Sequence, residues 1–242
     1  LSVENLLHPF QSFVLGQKNI GPKIALKYKI PLVFYGESEA EHGNPIKELS
    51  SQRDTYYWSV KKNEKLYLAG ITVKKLMKDY NLKLVDIDSY LPLKNEDLKT
   101  SKIEVHYLGY YLKWVPQEAY YYAVEHAKFK PRPFRTQGTY QKYNSIDDKV
   151  DDLHYYTTYI KFGYGRASHD AAQEIRNKHL SRDEGIKLIK RFDGEYPDKY
   201  INDILQYLDI SEEKFNKLCD KFRSPHIWRK TSNGWELKKP IY

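Results

Sequence analysis

The sequence predicts an α/β fold, with a parallel-sheet layer in its first half followed by a mostly helical C-terminal region. Three observations predict it. An apolar run rich in β-branched and aromatic residues, Ile30 to Tyr35, stops at Gly36, the pattern of a short strand buried on both faces. A second run, Ile103 to Tyr111, alternates, so that Ile103, Val105 and Tyr107 face one way. From Ser181 onward, apolar residues recur at helical spacing behind recognisable caps.

Taken in order, Leu1 to Gly16 holds His8, Pro9, Phe10 and Phe13 without an assignable period. Gln17 to Lys29 reads as a helix, because Pro22 suits a first turn and Ile24, Ala25 and Tyr28 fall on one face. A helix that runs straight into the Ile30 strand is half of a βαβ unit, whose preceding strand would lie upstream. Lys47 to Lys65 is a long polar connection with Tyr56, Tyr57 and Trp58 embedded, of the kind that covers a site. Ile71 to Tyr80 places Val73, Leu76, Met77 and Tyr80 on one side of a helix, and Leu91-Pro92 begins a linker. Gln117 to Ala127 follows Pro116 as a further helix.

The chain then changes character. Lys130 to Arg166 has little apolar periodicity but many polar groups, with tyrosines at 140, 143, 155, 156, 159 and 164 between them. A tyrosine combines a flat apolar face with a hydroxyl, which suits a sugar ring or a packed interface equally. Ser181-Arg182-Asp183-Glu184 is a capping box for a helix through Ile186, Leu188 and Ile189 that ends near Gly194. Tyr200, Ile201, Ile204, Leu205 and Leu208 mark the next helix, and Ser211 precedes one carrying Phe215, Leu218, Cys219 and Phe222. Trp228 and Trp235 read as packing anchors. The expected segments are 1–127 for the α/β layer, 128–166 for a polar substrate-site segment and 167–242 for the helical domain.

Composition bounds the function. With 242 residues, 40% of them hydrophobic, the chain can bury a sizeable core. A net charge of +8 and a pI near 9.1 favour an anionic partner, but the lysines are scattered rather than gathered into a stripe. The single cysteine, Cys219, excludes an intrachain disulfide or a cysteine-cluster metal site and lies in a core-like pattern. No run approaches a membrane span and no signal peptide is visible, so a cytoplasmic location is expected. The start at Leu1-Ser2-Val3, without methionine, points to a true N-terminus elsewhere.

Two clusters stand out as candidate sites. Glu37, Glu39 and Glu41 follow the Ile30 strand beside His42 and Gly43-Asn44-Pro45. The carboxyl end of a strand carries the ligand in open α/β sheets, and a turn needs Gly, Asn or Pro but not clustered acids. A solvated acidic loop is the structural alternative. The second cluster lies within Arg132, Arg135, Gln137, Gly138, Asp147, Asp148, Asp151, Asp152, His154, Lys161 and Arg166.

Several separated segments carry a family likeness: LGQKNIGPKIALKYKIPLVFYGESEAEHGN, LGYYLKW, the long stretch GTYQKYNSIDDKVDDLHYYTTYIKFGYGRASHDAAQEIRNKHLSRDEGI, and FRSPHIW. Through them the chain resembles the N-acetyl sugar amidotransferases of bacterial surface-glycan synthesis, a group that includes pseudaminic acid and lipopolysaccharide O-antigen enzymes. The resemblance implies an ATP pyrophosphatase fold of the adenine-nucleotide alpha-hydrolase-like kind, of which 1–127 would be the C-terminal part. It further implies ATP and Mg2+ as cofactors, ammonia from a glutaminase partner, and conversion of a sugar acetamido group to acetamidino.

On that basis Glu37 and Glu41 are candidates for magnesium or proton transfer, and Asn44 for orienting a ligand. Gly138 belongs to the substrate segment, Lys161 and Arg166 would hold anionic substrate groups, and Asp147, Asp148, His154 and Asp170 would handle protons or sugar hydroxyls. Each has a structural alternative: Asp147-Asp148 as a helix start, His154 as a hydrogen-bonded core histidine, and Glu174 with Arg176 as an ion pair. One departure is that the family's Ser-Gly-Gly-Lys-Asp-Ser phosphate loop and paired cysteines are not found in these residues, so the chain is expected to be incompetent alone. Two other classes remain open, a tRNA-modifying ATP pyrophosphatase and a non-catalytic scaffold that docks a glutaminase.

Overall fold

The computed structural model describes residues 1–36, 59–60 and 65–241. The chain divides into two compact units, the first made of Leu1–Leu6 and Phe10–Trp114, the second of Leu7–Pro9 and Val115–Tyr242.

In the first unit, helices α1 (Ser2–Leu6) and α2 (Gln11–Tyr28) lead into strand β1 (Leu32–Tyr35). The short strands β2 (Ser59–Val60), β3 (Tyr67–Leu68) and β4 (Ile71–Thr72) precede helices α3 (Val73–Asp79) and α4 (Leu84–Ile87), the latter continued by a 3-10 turn at Asp88–Tyr90. Strand β5 (Leu93–Lys94), helix α5 (Asn95–Ser101), strand β6 (Glu104–Tyr107) and the helical turn α6 (Leu108–Tyr111) complete it. Among the described residues strands associate only in pairs: β1 with β6 and β2 with β5 in parallel, β3 with β4 antiparallel. The parallel pairing expected of the Ile30 strand is present, and Ile103, Val105 and Tyr107 are all buried as their alternation predicts.

Four expectations for this unit need correction. Strand β1 is not buried on both faces: Val33 and Tyr35 pack on the cluster of Ala25, Leu98, Ile103, Val105 and Tyr107, while Leu32 and Phe34 are exposed. Helix α2 begins at Gln11, so Pro22 lies inside it rather than in its first turn. Proline cannot donate to the carbonyl four residues back, that of Lys18, and the Tyr35 hydroxyl donates to that oxygen instead, at 2.8 Å. The buried face of α2 is Asn19, Pro22 and Ala25, with Ile24 and Tyr28 exposed, because the helix closes over β1 and β6 along that line. Leu91, expected in a linker, is buried in a second cluster with Leu68, Leu76 and Ile87.

The second unit is helical. It comprises α7 (Pro116–Ala127), α8 (Val150–Phe162), α9 (Arg166–Arg176), α10 (Arg182–Phe192), α11 (Ile201–Leu208) and α12 (Glu212–Phe222), closed by an antiparallel hairpin of β7 (Trp228–Thr231) and β8 (Gly234–Leu237). Ser181 and Glu184 make both arms of the predicted capping box, and Ser211 caps α12. Phe215 and Cys219 are buried, and burial pushes the Cys219 thiol up to about 12, so it is an inert core group. Trp228 is an anchor, as expected, buried with its Nε1 donating to the Ile160 carbonyl at 2.8 Å. Asp193 caps α9 from the end of α10, accepting from the backbone N–H groups of Gly165 at 2.9 Å and Ser168 at 3.1 Å. No helix among the described residues is long and apolar enough to cross a membrane.

Candidate functional site

Glu37, Glu41 and Asn44 lie outside the described residues, as do Glu39 and His42. Among the described residues no group of three histidine, cysteine or acidic side chains could hold a metal ion, so the magnesium expectation rests on Glu37 and Glu41 alone.

The second cluster falls within one unit, where its members separate by role. Residues 130–149 form an irregular segment held by hydrogen bonds rather than apolar packing. Thr136 and Thr139 are fully buried; the Thr136 Oγ1 donates to the Asn144 carbonyl at 2.9 Å and the Thr139 Oγ1 to Asp170 Oδ2 at 2.5 Å. Gly138 adopts a left-handed φ of 84° and donates its N–H to Glu195, which also takes both terminal nitrogens of Arg135 at 2.5 and 2.6 Å. Asp170, on α9, is buried and paired with Arg166 Nε at 2.8 Å. Burial alone would raise its pKa, but the Arg166 guanidinium and the hydrogen bonds from His169 and Thr139 hold it below the usual range. Arg166 also lies over the Tyr155 ring. Asp148 starts α8, its Oδ1 accepting from the Val150 N–H at 2.7 Å, and Asp147 is exposed.

His154 stacks on His8 with ring centroids 4.8 Å apart and planes 20° from parallel. Burial, and then the charges of His8, Lys161 and Arg166, push the His154 pKa down to about 3, so the ring is neutral near pH 7. Lys161 is half-buried and desolvation lowers its pKa. Just before His154 on α8, Asp152 is buried with its Oδ1 3.5 Å from Arg132 Nη1. That distance is too long for a hydrogen bond, and neither oxygen of the carboxylate has one from the described residues. Burial pushes it up to about 6, against the pull of Arg132.

Beside the Arg166–Asp170 pair lies a cavity of about 260 Å³ that includes Tyr120, Tyr121, Tyr140, Tyr143, Glu174 and His179 in its lining. Tyr120 and Tyr143 are stacked 4.5 Å apart and 15° from parallel, with Tyr121 tilted against Tyr120 at 5.1 Å. Glu174 is buried in the last turn of α9. The chain turns back there, with the His179 N–H on the Glu174 carbonyl at 2.9 Å, which sets His179 Nδ1 2.6 Å from Glu174 Oε2. An ionised carboxylate only accepts, so Nδ1 carries the proton of that bond. His179 Nε2 lies 3.8 Å from Glu118 on α7. Burial first, and then the charges of Asp170 and Glu174, raise the phenols of Tyr140 and Tyr143 well above the ordinary value. Both therefore remain hydroxyl donors. The cavity and the buried network are joined, because Asn144 bonds both Gln141, in the cavity wall, and Asp170.

Residues 137–241 match the family model of the LPS biosynthesis protein WbpG-like, C-terminal domain. No curated protein matches the chain. The match supports a role in lipopolysaccharide biosynthesis and covers Gly138, Asp147, Asp148, His154, Lys161, Arg166 and Asp170 together with Glu174 and His179. It does not extend to α7, which contributes Tyr120 and Tyr121 to the cavity. Of the expected residues, Arg166 and Asp170 form one ion pair with its carboxylate buried, and His154 belongs to a stacked imidazole pair with His8, a residue to which the sequence alone assigns no role. Glu174 does not pair with Arg176 but with His179. The signal for that pair is an acid and a histidine five apart across a helix end, and such a spacing marks a contact only where the helix stops.

Proposed function

We propose that the chain takes part in ATP-dependent amidotransfer to an N-acetylated sugar or sugar acid during lipopolysaccharide synthesis, with ammonia delivered by a glutaminase partner. The observation that carries this reading is the match of 137–241 to a lipopolysaccharide-biosynthesis domain over the same residues that supply most of a tyrosine-walled cavity with a buried carboxylate–imidazole pair. An amide oxygen is a poor leaving group, which is what ATP would remedy. The acetamido oxygen attacks the α-phosphorus, pyrophosphate leaves, ammonia adds to the resulting imidate carbon, and AMP departs with the former carbonyl oxygen. An acetamidino group remains.

The described residues suit the acceptor half of this scheme. Tyr143 offers a hydroxyl donor, Glu174 an acceptor, and the Arg166–Asp170–Asn144 chain fixes Gln141 in the wall. The nucleotide half falls to the first unit, an adenine-nucleotide alpha-hydrolase-like layer on this reading, with Glu37 and Glu41 following β1 in the sequence. The test is incubation of the full-length protein with ATP, ammonia and N-acetyl sugars labelled with heavy oxygen in the acetamido group. The expected product is lighter by about one mass unit relative to unlabelled sugar, as O is replaced by NH, with the label recovered in AMP. Label that stays in the sugar, or no product from any N-acetyl sugar, overturns the reading.

A further inference from the structure

We propose that the cavity between α7, the 140–143 segment and the end of α9 binds a single pyranose ring, held by aromatic stacking on one side and by donation to Glu174 on the other. It deepens the proposed function, on which it rests only for the identity of the ring as the acetamido-bearing one.

Size, walls and charge agree. At about 260 Å³ the cavity is just below the roughly 300–1,000 Å³ of sites for drug-sized ligands, which suits one ring. The Tyr120–Tyr143 stack stiffens one wall, while Tyr121, 61% exposed, stands at the mouth with a face still open. A pyranose presents axial C–H bonds on its ring faces, and a phenol ring is a flat surface that packs against them at low entropic cost.

The carboxylate at the floor sets the polarity. Glu174 is 4% exposed and His179 occupies its Oε2. Its Oε1 accepts no hydrogen bond among the described residues, yet it is not among the fully buried atoms, so it is open to the cavity. A sugar O–H or N–H that donates to it meets a strong, unfilled acceptor in a partly desolvated place. A phosphate or carboxylate placed there would instead face Glu174 at close range, with Glu118 next behind His179, and no arginine among the described residues lines the cavity to offset them. The lysine in the lining, Lys142, is exposed. At Glu174 the site therefore selects hydroxyl and N–H donors over anionic groups.

Saturation-transfer NMR on the full chain with N-acetylglucosamine, N-acetylgalactosamine and N-acetylmannosamine tests this. At least one should receive transfer at its ring C–H protons, and millimolar inorganic phosphate should not displace it. Glu174→Gln, which keeps size and removes charge, should weaken binding by about tenfold or more, the effect of losing a hydrogen bond to a charged acceptor. Tyr121→Ala, at an exposed position that folding does not need, should weaken it to a similar degree. No transfer to any of the three sugars, wild-type affinity in both variants, or displacement by phosphate overturns the proposal. The outcomes separate from those of the amidotransfer test. Sugar that binds here without ever being amidinated leaves this site standing and removes the reaction, whereas amidination with an unchanged KM in Tyr121→Ala does the reverse.

Discussion

Helix α8 carries two titratable groups, Asp152 buried and His154 partly buried, whose effects on stability have opposite sign, and separating them tests the electrostatics of the second unit. Asp152 is pushed up to about 6 from an ordinary 3.8. The folded state favours its protonated form, so its contribution is complete below pH 3.8 and is lost as pH rises through 6. His154 is pushed down to about 3 from 6.5, and works the other way: its contribution is complete above pH 6.5 and is lost as pH falls towards 3. At about 1.4 kcal/mol per pH unit separating the folded and unfolded pKa, Asp152 changes stability by roughly 3 kcal/mol and His154 by roughly 5 kcal/mol over its wider window. From about pH 4 to 6 the two slopes cancel.

Each variant therefore exposes the other group. On acidification from about pH 6 to pH 4, Asp152→Asn should lose about 3 kcal/mol relative to wild type, because only the histidine slope remains. His154→Phe keeps a ring for His8 to stack on, removes the titration, and should gain about 3 kcal/mol over the same range. Asp151 and Asp193 are raised by burial and His8 is lowered by it, so they act in overlapping windows. The variant-minus-wild-type difference isolates the two groups. Urea titrations followed by tryptophan fluorescence read it, with Trp228 bonded to the end of α8 as reporter of this unit. Differences constant with pH to within about 1 kcal/mol would refute the burial of these groups and the cancellation with it.

Three further outcomes are expected. Tyr35→Phe should cost about 1–3 kcal/mol by stranding the Lys18 carbonyl, and less in a Pro22→Ala background, where the N–H restored at position 22 takes that oxygen; a double-mutant cycle with no coupling would show the hydroxyl to be incidental. Gly194→Ala should cost more than about 1 kcal/mol in thermal or urea melts, since φ is 76° and a Cβ would run into the Tyr159 ring; a neutral substitution would mean the turn can move. Glu37→Gln should abolish pyrophosphate release in full-length protein with little change in sugar affinity, and unimpaired release would return the acidic turn to a solvated loop.

The parts of the fold legible in the sequence are those whose buried positions are apolar. Ile103, Val105 and Tyr107, the face of α12 at Phe215 and Cys219, and α11 at Ile201, Ile204 and Leu205 all carry their burial in their residue type. Helix α8 escapes a reading of apolar periodicity because its buried face includes Asp152 and Thr157 beside Leu153, Tyr155 and Ile160. In α9 the buried face holds Ser168, Asp170, Gln173 and Glu174. A search for apolar recurrence cannot find a helix that turns polar residues inward, since those residues are stabilised by partners from elsewhere in the chain. The start of α2 escapes for a related reason: Pro22 signals a first turn unless a distant hydroxyl satisfies the carbonyl it leaves, and Tyr35 is thirteen residues away.

The same argument explains the site. Asp170 is buried because Arg166, Thr139 and Asn144 meet it, and two of those partners come from the irregular segment some thirty residues earlier. Their bonds tie that segment to α9, and Asn144 in turn fixes Gln141 at the cavity wall. The inward polar residues that conceal α9 from periodicity thus hold the wall opposite Glu174. An apolar core could pack α9 equally well, but it would leave the 140–143 segment without the directional bonds that set Tyr143 against Tyr120. Replacing Asp170 by an apolar residue of similar size should therefore disturb the cavity more than it disturbs the helix, because α9 keeps its Asp193 cap while Asn144 and Thr139 lose their acceptor.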